Sequence, residues 1–170
     1  MKPAAGIIIG VRENDQPAVL LQRRKSDDSF ANGSQVSAHG KLTEEEITLP
    51  ESERFYIAML RKVAHELGPR LAELVTTNRE QLEIIHHEQR PDKEVLTYGL
   101  DTKRPAAEVL EMIQLGGDAG GIFPCSDPSQ IRTYKDGEKQ SGVPHEEIAM
   151  FPDEIQSVKT FLGSIIAREA

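Results

Sequence analysis

At 170 residues the chain has the length of a usual domain and is long enough to bury a sizeable core. Hydrophobic residues at 38% and charged residues at 28% are ordinary globular proportions, which excludes long disorder arising from composition. A net charge of −8 excludes a broad electrostatic surface for bare nucleic acid or an anionic membrane, so a small anionic ligand would need a local basic pocket.

In chain order, Ala4 to Val11 is a short apolar run rich in branched residues. It is too short to span a bilayer and only Lys2 precedes it, so neither a membrane anchor nor a secretory signal is expected. With Ala18 to Arg23, across the polar Arg12 to Pro17, it predicts a strand pair. Lys25 to Ser34 is polar and holds the turn signal Asn32-Gly33, and Leu42 to Glu46, with three acids, reads as a solvated loop.

Pro50 to Leu67 is the first expected helix, with Pro50 suited to a first turn and Gly68-Pro69 supplying the stop. Phe55, Met59, Val63 and Leu67 repeat every four residues as an apolar stripe, and Arg61, Lys62, His65 and Glu66 lie off it. A second hairpin is expected from Leu82–Glu88 and Glu94–Leu100, turning at Gln89 to Lys93. Pro105 to Leu115 reads as a helix, Gly116 to Ser129 as a loop, and Lys135-Asp136-Gly137 as a turn between short strands. A last helix from near Asp153 carries Ile155, Val158, Leu162, Ile165 and Ile166 on one face. The order strands, helix, strands, helix predicts an α/β fold, one domain over residues 1–170 with a mixed sheet flanked by helices. The single cysteine, Cys125, makes no internal disulfide and favours the cytoplasm. Oligomeric state leaves no signal.

Glu53 is followed, after seven residues, by Arg61-Lys62-Val63-Ala64-His65-Glu66-Leu67-Gly68-Pro69, and Gly40-Lys41 lies upstream. This resembles the Nudix box, which reads Gly, five residues, Glu, seven residues, then Arg-Glu-apolar-any-Glu-Glu-any-Gly-apolar. Glu53, Arg61, Val63, Glu66 and Gly68 stand in register, whereas Lys62 and His65 replace carboxylates. Gly40 precedes Glu53 by thirteen residues, so the match requires a seven-residue insertion, expected to loop out between them.

The resemblance implies a Nudix-like fold and a Nudix-type hydrolase acting on a nucleoside diphosphate linked to another moiety. The family holds Mg²⁺ on helix carboxylates against the diphosphate; here a divalent metal, Mg²⁺ or Mn²⁺, would need a rearranged set of Glu66, His65 and Glu53, with Glu66 and Glu53 as the catalytic acids. Lys62 cannot ligate while protonated, but with Lys41 and Arg23 it can hold phosphate oxygens. The alternative is a catalytically inactive Nudix-like nucleotide-binding or regulatory module; both take a small phosphorylated, nucleotide-like ligand. In the family the helix arginine bonds within the box, which gives Arg61 a structural part. On a strand His86 and His87 would face opposite sides and could not readily share one ion.

Overall fold

The computed structural model describes residues 3–170. The chain opens with β1 (Ala4–Glu13), β2 (Gln16–Arg24), β3 (Ser34–Gln35) and β4 (Ala38–Lys41). The helices α1 (Glu44–Ile47), α2 (Glu51–Leu67) and α3 (Pro69–Thr77) follow, then the long hairpin of β5 (Glu83–Arg90) and β6 (Lys93–Pro105). The remainder is α4 (Ala106–Met112), β7 (Ala119–Cys125), β8 (Ile131–Thr133), α5 (Glu138–Ser141), β9 (Ile148–Met150) and α6 (Pro152–Glu169).

Seven strands make one mixed sheet along β3-β2-β1-β6-β5, with β4 also on β1 and β7 also on β2. The β1–β2 hairpin turns at Asn14 and Asp15, both with positive φ (51° and 65°), a backbone these residue types tolerate and tight hairpins need. One edge of β1 pairs in parallel with β6, and its other edge is shared: Ala4 to Ile7 pair with β4, whereas Ile9 to Glu13 pair with β2. The sheet therefore forks, with the β3–β4 chain wedged into the opening. Ser37 pins the fork: its hydroxyl donates to Leu20 O at 2.5 Å and accepts from Ile9 N at 2.9 Å. Leaving those backbone groups buried and unpaired would cost about 1–3 kcal/mol each.

Alternation along β1 sends Ile7, Ile9 and Val11 to one face of the sheet and Ile8 to the other. The first face packs under α2, α3 and α4, and Phe55, Met59, Val63 and Leu67 of the expected stripe are all 2% exposed or less. The second packs under α6 through Ile155, Val158, Phe161, Leu162 and Ile165. Each such side chain contributes about 1.5–3 kcal/mol on burial, which is what holds the helices to the sheet. This is the mixed sheet flanked by helices that the sequence predicts. No helix among the described residues is long and apolar enough to cross a membrane.

Two segments differ from expectation. Residues 116–129 were expected to be a loop, but β7 runs through them and pairs with β2 from Val19 to Arg24. Its glycines and proline suit a strand that has a partner's edge to follow: a Cβ on Gly120 would lie 2.9 Å from Arg24 O. Glu44 to Glu46 form α1 rather than a solvated loop, through a capping box in which Thr43 and Glu46 exchange hydrogen bonds and Glu46 is buried. Elsewhere the differences are small. Pro50 caps α2 rather than entering it, and α4 ends at Met112, before the extended Ile113.

Candidate functional site

The mouth of the fork opens against the last turns of α2 as a cleft of about 370 Å³. β2 contributes Gln22 and Arg24, β3 Gln35, β4 His39, Gly40 and Lys41, and α2 Lys62 and Glu66, with Asp28 and Asp118 from loops. Gly68, at φ 98°, ends α2 just past Glu66, a backbone that glycine adopts without strain.

Glu66 is the buried anion of this cleft, 2% exposed. Its Oε1 accepts from Gln22 Nε2 at 3.2 Å and from the His39 backbone N–H at 3.3 Å. Its Oε2 lies 3.7 Å from Lys62 Nζ, one helical turn away. The Lys62 stem crosses Gly40 so closely that a Cβ there would fall 1.8 Å from Cε. Gly40 is thus a close-approach glycine, and the ammonium it admits neutralises Glu66. His39, beside them, is lowered to about 4 by burial first and by the Lys62 charge second, so at neutral pH it is an uncharged imidazole.

Arg61 is held by Glu46, an acid other than the Glu53 that the resemblance sets in register. Arg61 Nε and an Nη hold Glu46 at 2.8 and 3.0 Å, and Arg61 also reaches Lys41 O at 3.0 Å. That bidentate bond is the leading cause holding Glu46 below the usual carboxylate range. Five residues separate Gly40 from Glu46, which is the box's own spacing, and this count is the sequence signal that finds Glu46. The seven extra residues therefore lie between Glu46 and Arg61, where fourteen stand instead of seven, and most are taken up as added turns at the start of α2.

Glu53 sits on those added turns and does not line the cleft. It pairs with Arg79 at 2.9 and 3.1 Å, and the Arg79 guanidinium lies 3.8 Å from the Tyr56 ring centroid. His65 is exposed and packs over Gly116-Gly117, where a Cβ on Gly117 would meet its Nε2 at 2.4 Å; it too is outside the cleft. The structure thus brings together Glu66, Lys62 and Lys41 and keeps Glu53 and His65 apart from them. Of the two neighbouring arginines, Arg24 lines the cleft, while Arg23 lies over the Phe123 ring at 4.9 Å. Gln22, Gln35, Asp28 and Asp118 carry no motif that sequence could single out.

A hard divalent cation fits this donor set poorly. Glu66 brings one carboxylate, with one oxygen taken by two N–H donors and the other facing an ammonium. Among the described residues no three His, Cys, Asp or Glu side chains converge as a metal site. What the arrangement offers is hydrogen-bond donors and fixed positive charge from Arg24, Lys41 and Lys62, suited to anionic oxygens.

The fold is shared with solved Nudix proteins. It matches a MutT/nudix family protein from Enterococcus faecalis over 98% of this chain and 62% of that one, at TM-score 0.60 and 16% identity. It matches a NUDIX hydrolase from Alicyclobacillus acidocaldarius over 100% of this chain and 96% of that one, at TM-score 0.62 and 13% identity. It matches the NUDIX domain of Shewanella oneidensis NrtR, complexed with ADP ribose, over 99% of this chain and 87% of that one, at TM-score 0.53 and 15% identity. No family model and no curated protein matches the chain. The chain has the Nudix fold.

Proposed function

We propose that the cleft binds a small phosphorylated, nucleotide-like ligand, and that the chain is a Nudix-fold binding module in which Lys62 supplies, as a tethered cation, charge that the resemblance assigns to a metal. The observation that carries this reading is the Lys62 ammonium lying over Gly40 and 3.7 Å from Glu66 Oε2. An ammonium there neutralises the carboxylate, stands ready to meet phosphate oxygens and repels a second cation. The ADP ribose held by the similar Shewanella oneidensis domain makes that compound the first ligand to try. A cytoplasmic setting belongs to the same reading, supported by the lone free cysteine.

Titration calorimetry with ADP-ribose, other nucleoside diphosphate derivatives and dinucleoside polyphosphates tests it. A member of the panel should bind equally with and without EDTA, and Lys62→Ala should weaken it about tenfold or more. Chromatography of the same mixtures with Mg²⁺, Mn²⁺ or Zn²⁺ should show intact ligand.

A second reading, metal-dependent hydrolysis of a nucleoside diphosphate linked to another moiety, is favoured by one observation: Glu66 is retained, buried and aimed into the cleft, with Asp28 and Asp118 on the same walls. Metal-dependent cleavage that Glu66→Gln depresses far more than binding would establish that reading in place of the first.

A further inference from the structure

Beside the cleft lies a second cavity of about 580 Å³, and Arg24 lines both. Three consecutive cations, Arg23, Arg24 and Lys25, border it together with Asn32, Gly120 and His145, and Asp27 is the acid on its wall. Neighbouring strand residues ordinarily face opposite sides. Here the pairing of β2 with β7 slips: Arg23 faces Gly121 and Arg24 faces Ala119, leaving Gly120 as the extra residue of a bulge. β2 ends at Arg24 and Lys25 lies beyond it, so strand alternation no longer separates the three cations, and the bulge in β7 adds local twist where they share one cavity.

None of these three cations makes an ion pair among the described residues. Arg23, Arg24 and Arg70 are the arginines without an ion pair among the described residues, in a chain with 28 acids and 20 bases. Arg23 is partly buried, donates to Asn32 O at 2.9 Å and lies against Phe123; burial lowers its pKa, the direction for a desolvated cation. Arg24 donates through Nε to Ser29 O at 2.9 Å, and its two terminal nitrogens have no protein acceptor among the described residues. Partly desolvated guanidinium groups whose fork is unfilled are arranged for planar anionic oxygens from outside the chain.

We propose that this cavity takes a second anionic group, a phosphoryl or a carboxylate, carried by the same ligand whose diphosphate lies against Lys62 and Lys41, with Arg24 bridging the two. The inference rests on the ligand-binding reading above and narrows it: the moiety linked to the nucleoside diphosphate, or the nucleoside itself, is charged.

Calorimetry on the intact chain with two matched pairs tests this: ADP-ribose against its 2′-phosphate, and UDP-glucose against UDP-glucuronate. In at least one pair the charged member should bind about tenfold or more tightly than its partner. Arg23→Gln combined with Lys25→Gln should erase that preference while leaving the partner's Kd within about twofold. Lys25 is exposed, so Lys25→Glu, which places no demand on folding, should reduce the preference on its own. Equal affinities within both pairs, or a preference that survives the double substitution, would overturn the charged-moiety inference alone. Failure of all four compounds to bind would instead remove the ligand-binding reading, and this inference with it.

Discussion

Lys62 is the residue on which the site's chemistry turns. Lys62→Glu removes the tethered cation and sets a second carboxylate one turn from Glu66, so Mg²⁺ binding should become measurable by calorimetry where the native chain binds it weakly. Gly40→Ala should act on the same group from the other side. The new Cβ collides with the flexible Lys62 stem rather than with backbone, so ligand affinity should fall while thermal stability changes little. Arg61→Ala leaves Glu46 buried without its partner. Because Arg61 is 39% exposed, the loss in urea unfolding should be about 1–2 kcal/mol rather than the larger cost of a fully buried pair. Glu46 is lowered in the folded state, so this stabilisation is present above the ordinary carboxylate value of 4.5 and is lost as pH falls through the lower folded value. Native and variant unfolding midpoints should therefore converge in acid.

At the scale of elements, the two helical layers make separable contributions. Met59→Ala in α2 and Phe161→Ala in α6 each empty a fully buried site and should cost about 2–5 kcal/mol. Met59→Ala should also weaken ligand binding, because α2 carries Lys62 and Glu66, whereas Phe161→Ala acts from the opposite face of the sheet and should leave the Kd unchanged. The α2 helix was legible in sequence because its stripe, proline and glycine agree, and the first hairpin because branched runs flank a polar turn. β7 was not, since its Gly120, Gly121 and Pro124 argue against a strand until the edge of β2 is there to receive it. The same limit governs the site. Glu66, Lys62 and Lys41 follow from helix and box position, but the choice of Arg24 over Arg23 depends on where the fork lies. Gln22 and Asp118 reach the cleft only through the sheet's long-range pairing.

For the whole molecule, two partly exposed but largely desolvated groups set opposing pH responses. His39 is held near 4 against an ordinary 6.5, so the native state takes up fewer protons there and stability is lost as pH falls from 6.5 towards 4. Glu154, at the start of α6, accepts from Val36 N and is pushed up to about 7 by burial against an ordinary 4.5. Its contribution is present below 4.5 and is lost as pH rises through about 7. Each is worth up to about 3 kcal/mol, and between 4.5 and 6.5 their slopes oppose. Glu154→Gln should therefore make the melting temperature fall more steeply than in the native chain as pH drops from 7 to 5, and His39→Gln should make it rise relative to the native chain. Parallel melting curves for all three proteins across that range would refute the opposition.

The insertion ahead of Arg61 is seven residues long, and in a helix that number has a rotational meaning. Seven residues turn an α-helix by about 700°, within about 20° of two whole rotations. Phe55, on the added turns and four residues before Met59, extends the line of Met59, Val63 and Leu67, and the helix is longer with Glu66 still facing the cleft. An insertion of five residues would have left the two ends about 140° out of phase, so that seating the added turns on the sheet would swing Glu66 away from it. Added helical turns are thus expected to leave Glu66 in place when they come close to whole rotations, as a heptad does.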